Sequence, residues 1–191
     1  MSEFIARDAS EIEAALRAAA TIGDLHRVRE VAPHVADINS RDSRGDSALR
    51  LAAGAGHTDV VRELLRYLAD VDQRGFNQNT SLHWAAENGH LETVVVLLDH
   101  DADPNARNAR NNTPLRSAAG EGHLPVVLEL LKRGVHVDQR GYNNNTALHW
   151  SAENGHLDTV RALIQHAADV NARNSRNNTP LPLAAGQVRP R

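Results

Sequence analysis

The 191-residue sequence has no cysteine, which removes disulfides, thiolate zinc sites, iron–sulfur ligation and a cysteine nucleophile. Aromatic residues are only 3 %, so a core has to be assembled from Leu, Val, Ile and Ala, a composition that leans helical. The longest clean apolar run, Val94-Val95-Val96-Leu97-Leu98, falls far short of the roughly 20 residues that cross a bilayer, and no membrane partner is expected. The opening Met1-Ser2-Glu3-Phe4-Ile5-Ala6-Arg7-Asp8 lacks a basic flank followed by an apolar block. No signal peptide is therefore expected, and the cytoplasm, or else the nucleus, is the expected compartment. Lysine is nearly missing too: 20 of the 21 basic residues are Arg, Lys132 being the exception, which reads first as a bias of the coding sequence. A net charge of −3 disfavours a nucleic-acid partner held by bulk attraction, though not a local basic patch.

What the chain does have is a repeat. Ser47, Thr80, Thr113, Thr146 and Thr179 stand 33 residues apart, heading SALRLAAGAGH, TSLHWAAENGH, TPLRSAAGEGH, TALHWSAENGH and TPLPLAAGQ. Each hydroxyl is placed to cap a helix N-terminus, and Pro114 and Pro180 follow at the first helical position, where a missing N–H costs nothing. Leu82, Ala85 and Ala86 fall at i, i+3 and i+4, the apolar face of a short first helix. Gly56, Gly89, Gly122 and Gly155 end that helix where a left-handed backbone is useful. Leu91, Val94, Val95 and Leu98 make the apolar face of a second helix. Polar segments rich in Asn and Gly, such as Asp72–Asn79, connect one unit to the next. Neither helix can bury its stripe alone, so successive units must stack.

These motifs resemble the ankyrin repeat family, from about residue 10 to the C-terminus. The resemblance implies an all-α fold with short β-hairpin fingers, a solenoid of five 33-residue repeats plus a truncated C-terminal sixth. The expected organisation is a lead-in and cap start at 1–13, then one domain over 14–191. Its units are 14–46, 47–79, 80–112, 113–145 and 146–178, with a partial unit at 179–191. Ser10-Glu11-Ile12-Glu13 has the form of a capping box. The sixth unit lacks a second helix, and the apolar surface so left uncovered is expected to drive self-association. Two departures from the family pattern stand out. The glycine two residues before the Thr position survives only as Gly45, with Gln78, Asn111, Asn144 and Asn177 elsewhere. The glycine that ends the second helix survives only as Gly134, with Leu68, Asp101 and Ala167 in its place, and some of those ends are expected to be remodelled.

A longer period lies over the first. Residues 80–112 and 146–178 share 23 identities in 33, whereas the adjacent 80–112 and 113–145 share 13. Duplication of a two-repeat block of 66 residues accounts for this. With helix layers about 8–10 Å apart, like surfaces would recur about every 20 Å.

Catalytic and metal chemistry find no support. There is no G-x-S-x-G elbow, phosphate loop or G-x-G-x-x-G, so no enzyme and no cofactor is expected. Of the 11 histidines, His83 and His149 occupy the fourth place of the capping motif, where the resemblance implies a bond around the first helical turn. His57, His90, His123 and His156 each begin a second helix, and none of the rest has metal-ligand spacing.

Surface residues are what remain. Arg41, Arg74, Arg107, Arg140 and Arg173 stand six residues before each Thr position, and alternate units add Arg44, Arg110 and Arg176. The other units offer Phe76 and Tyr142, in phase with Trp84 and Trp150 on the first helices. Arg, Tyr and Trp dominate binding hot spots. The resemblance places these residues on the fingers and first helices of a concave face that binds other proteins. The expectation is a non-catalytic scaffold gripping an acidic or phosphorylated segment, since forked guanidiniums suit carboxylates and phosphates. Two alternatives stand beside it. One is polyanion or nucleic-acid binding through the same rows; the other is a regulatory fragment of a larger multidomain protein.

Overall fold

The computed structural model describes residues 8–180. Residues 1–7 of the lead-in and 181–191, which carry the expected blunt end and its self-association, lie outside the described residues. Among the described residues the structure is helical, with ten α-helices, three short 3-10 segments and no strand. They divide into two compact units, the first within Met1–Ala85 and Glu92–Ala102, the second within Ala86–Leu91 and Asp103–Arg191.

In the first unit α1 (Ala9–Ile22) and α2 (Leu25–Val31) precede α3 (Ala48–Ala55) and α4 (Thr58–Arg66). Helix α3 packs on α1, α2 on α4, and each pair closes on itself. Residues of α5 (Ser81–Glu87) and α6 (Leu91–Asp99) add the apolar Leu82 and Leu97 to this unit. The first-helix core is the expected one, with Leu16, Leu49 and Leu82 at most 2 % exposed. The second-helix face is rotated from the expected one: Leu91 is 39 % exposed and Val95 half-buried, whereas Val96 and Leu97 are buried beside Val94 and Leu98, as Leu64 is in α4. Buried Ala19, Ala20, Ala52 and Ala53 leave room for the helices to approach. The second unit repeats the scheme with α7 (Pro114–Glu121), α8 (Leu124–Lys132), α9 (Ala147–Glu153) and α10 (Leu157–Gln165). There α7 packs on α8 and α9, and α10 on α8 and α9, around Leu115, Leu148, Leu130 and Leu163. Each fully buried leucine stabilises its unit by about 2 kcal/mol.

Caps fix the helix starts. Ser47 and Thr113 accept from the amides of Arg50 and Arg116 at 3.5 and 3.3 Å, and Pro114 opens α7. The capping box expected at Ser10–Glu13 does not form: α1 starts earlier, with Asp8 as its N-cap, and Ser10 inside it bonds Asp8 Oδ2 instead. The turn glycines Gly23 and Gly122 have φ of 76°, and the histidine of the following pair fills the space a side chain would need. A Cβ at Gly122 would lie 2.5 Å from His156 Nδ1, and one at Gly23 would lie 2.6 Å from His57 Nδ1.

The ends of the second helices are not remodelled. Leu68, Asp101 and Ala167 take φ of 61°, 63° and 64°, the same left-handed conformation as Gly134 at 74°. The reason lies one residue on. The amides of Ala69, Ala102 and Ala168 donate to Leu64, Leu97 and Leu163 at 3.2, 3.1 and 3.0 Å, and all three alanines are buried. That helix-ending bond, with burial of the alanine, outweighs the roughly 1–2 kcal/mol a Cβ costs in this region.

The fingers also differ from expectation, since no β-ladder forms. Phe76–Gln78 and Tyr142–Asn144 are tight turns with positive φ at both central residues, the pattern of a type I′ hairpin turn. Below each turn a single bond, Gly75 to the carbonyl of Asn79 or Gly141 to that of Asn145, both 2.9 Å, closes the loop. Further down, donors go to a neighbouring finger: the Asp70 amide and Gln73 Nε2 bond Asn39 at 2.7 Å each. These two donors thus tie one finger to the next rather than the two sides of one finger to each other. In the other units Asp42, Asn108 and Asn174 replace Gly75 and Gly141. Each of their Oδ1 atoms accepts two amides of its own loop at 2.8–3.0 Å.

Candidate partner-binding surface

Those two finger types present different side chains. The Asx-turn fingers hold Arg44, Arg110 and Arg176 out to solvent, and the I′ fingers present Phe76 and Tyr142, 55 % and 53 % exposed. Arg41, Arg74, Arg107, Arg140 and Arg173 are exposed as well. This second row is partly structural: Arg140 Nη1 donates to the carbonyl of Arg173 at 2.6 Å, Arg173 Nη1 to that of Asn177 at 3.1 Å, and Arg107 Nη1 to Asn111 Oδ1 at 3.4 Å. Arg41, Arg44 and Arg176 make no side-chain hydrogen bond or salt bridge among the described residues.

Two hollows flank the finger at 140–145. On one side an open groove of about 740 Å³ is lined by Arg107, Arg140 and His136, with Asp138 at its wall. On the other a more enclosed cavity of about 160 Å³ is lined by Tyr142, Trp150, Glu153, Arg176 and four asparagines, 143, 145, 174 and 178. The structure thus brings Arg107 to Arg140, and Tyr142 to Trp150 and Arg176.

The tryptophans are less free than a hot-spot reading expects. Both are only partly exposed, and in each unit an arginine lies against the ring. The Arg50 guanidinium is 4.9 Å from the Trp84 centroid, and that of Arg116 is 4.2 Å from Trp150. Arg50 is 5 % exposed and ion-paired to Asp46. Burial pushes the pKa of both guanidiniums down to about 10, Asp42 opposing it at Arg50 and Glu87 at Arg116, so both stay charged at neutral pH. The glycines of the I′ fingers make way for them. A Cβ at Gly75 would stand 2.7 Å from Arg50 Nε, and one at Gly141 would be 3.2 Å from Arg116 Cδ and 2.6 Å from Asn112 Oδ1. Arg50 and Arg116 were missed in the sequence, yet a signal is there: Arg replaces His in the fourth motif place in units 47–79 and 113–145, each ahead of a Trp-bearing unit.

This pairing is the structural counterpart of the 66-residue period. Where Arg occupies the fourth place it stacks on the next Trp; where His occupies it, the ring closes a local cap. His149 Nδ1 accepts from the Thr146 amide at 3.2 Å and lies 2.9 Å from its hydroxyl, so Nε2 carries the proton and donates to the carbonyl of Asn178 at 3.1 Å. Burial lowers the pKa of His149 and keeps the ring neutral. His57, His123 and His156 reach back through Nε2 to carbonyls of Thr21, Glu87 and Gly120 at 2.9–3.1 Å. Glu87 has its carboxyl raised by burial and by Glu121 beside it, with Arg116 and Arg110 pulling the other way.

Among the described residues no group of histidines and carboxylates could hold a metal ion, and no helix is long and apolar enough to cross a membrane. A search of curated proteins found no match. The family model for ankyrin repeats (3 copies) matches residues 15–108, 78–141 and 115–188, nearly the whole length. With its 33-residue period and its paired helices capped by Ser or Thr and ended by left-handed glycines, the chain belongs to the ankyrin repeat family.

Proposed function

We propose that this chain, built of ankyrin repeats, a protein–protein interaction module, is a non-catalytic scaffold whose finger surface binds an acidic or phosphorylated segment of a partner protein. The groove holding Arg107 and Arg140 with His136 carries this reading. Support comes from Arg44 and Arg176, whose guanidiniums project from rigid Asx turns with no anionic partner. A guanidinium presents five donors in a planar fork, matched to carboxylate and phosphate oxygens, and holding its backbone in a turn reduces the entropy lost on contact.

The test is fluorescence anisotropy with a labelled twelve-residue Glu-rich peptide and its phosphoserine counterpart, at two salt concentrations. Wild type is expected to bind both, and R107E/R110E to bind at least tenfold more weakly with a shallower salt dependence. Equal affinity and equal salt dependence in the two proteins would overturn the proposal.

A further inference from the structure

The enclosed cavity beside Tyr142 brings Arg176 and a carboxylate, Glu153, to one space, whereas the acidic-segment reading uses Arg176 alone. Glu153 and Arg176 line the same space, yet they form no salt bridge with each other, and neither side chain has a hydrogen-bond partner among the described residues. A cation placed there meets Arg176, and an anion meets Glu153. A neutral group with donors on one edge and acceptors on the other satisfies both at once, and the carboxamide is the side-chain group of that kind, with two N–H donors and a carbonyl bearing two lone pairs.

The rest of the wall fits an amide plane. Asn145 and Asn174 hold each other at 2.8 Å, and Asn174 Oδ1 is occupied by the amides of Arg176 and Asn178, so this side is fixed. The side-chain amides of Asn143 and Asn178 have no partner among the described residues, and both residues line the cavity. About 160 Å³ is space for several waters, at about 30 Å³ each, or for one flat side-chain head.

The sequence retains this set of residues at the long period and not at the short one. Sixty-six positions earlier stand Phe76, Trp84, Glu87 and Arg110 in place of Tyr142, Trp150, Glu153 and Arg176, and all four asparagines have asparagine counterparts. Thirty-three positions earlier the same four places hold Ala109, Ser117, Gly120 and Asn143. The exchange of Tyr for Phe keeps the ring and drops the hydroxyl, so the ring face is the conserved contact, a surface on which an amide plane lies flat.

We propose that the cavity between Tyr142, Trp150, Glu153 and Arg176 receives a carboxamide side chain, Gln or Asn, of a partner protein. This rests on the partner-binding reading above. The test is an NMR titration of the intact chain with Ac-Ala-Ala-X-Ala-Ala-NH2, where X is Gln, Glu, Lys or Ala, following the indole N–H resonance of Trp150. The sequence has two tryptophans, so W84F assigns that resonance. The Gln peptide is expected to shift it saturably, with a dissociation constant at least fivefold below those of the other three. E153A and R176A are each expected to weaken the Gln peptide at least fivefold. Tightest binding by Lys or by Glu would make the cavity a simple ion site and overturn the proposal, as would a Gln peptide no better than Ala. The acidic-peptide measurement reads through Arg107 and Arg110, neither of which lines this cavity, so failure of one reading is distinguishable from failure of the other.

Discussion

Replacing an exposed leucine by glycine should stabilise this protein. Leu68 ends α4 in the left-handed region at φ 61° and is 85 % exposed, so removing its side chain sacrifices almost no buried surface. A Cβ in that conformation costs about 1–2 kcal/mol. Glycine surrenders about 0.5–1 kcal/mol of that through the greater freedom of the unfolded chain. Leu68→Gly is therefore expected to gain about 0.5–1 kcal/mol, and Ala167→Gly, at φ 64° and also exposed, a similar amount in the other unit. Gly134 provides the reverse experiment: nothing lies within 4 Å of a Cβ built there, so Gly134→Ala isolates backbone strain and should lose about 1 kcal/mol. Gly122→Ala adds a clash with His156 to the same strain and should lose more. Guanidinium chloride unfolding reads these changes as shifts of the midpoint at constant slope. A destabilised Leu68→Gly, or a neutral Gly134→Ala, would refute the reasoning.

Three further outcomes follow from the packing. A double-mutant cycle of Arg116→Met and Trp150→Phe should give a coupling of about 1 kcal/mol, since the cation is partly desolvated over the ring; zero coupling would make the contact incidental. His149 is held neutral, so below the usual histidine pKa of about 6.5 the unfolded chain takes up a proton that the folded site refuses. Stability from this site is full above that pH and falls as the pH drops towards the lowered folded value, and His149→Gln should flatten the pH–stability curve there; an unchanged curve would contradict it. Gly75→Ala should cost more than 1 kcal/mol because its Cβ meets Arg50 and the carbonyl of Gly45, although its φ of −110° is open to any residue; thermal unfolding measures it, and an unchanged midpoint would contradict the clash.

The fold was legible because every cue in this sequence acts locally and is repeated. Hydroxyl caps, turn glycines and the leucines at 16, 49, 82, 115 and 148 each specify one feature of a helix pair, and the structure uses them in those roles. Misread positions are those where a contact beyond the local segment decides. Leu68 and Ala167 stay left-handed because the following alanine is buried and its amide closes the helix. The expected β-hairpin stems show no ladder among the described residues, only the closing bonds of Gly75 and Gly141, while Asp70 and Gln73 turn to Asn39 of the neighbouring finger. At the surface, arginines and aromatics could be named but not grouped. Arg50 and Arg116 looked like ordinary motif positions until their contact with tryptophan was visible, and Glu153 drew no notice until it met the cavity of Tyr142 and Arg176.

The most direct test of the binding account is a backbone amide shift map of the chain titrated with the phosphoserine peptide. The account predicts changes concentrated on the finger residues 41–46, 107–112, 136–144 and 173–178. Changes concentrated instead on the second helices α4, α8 and α10, with the fingers silent, would contradict it.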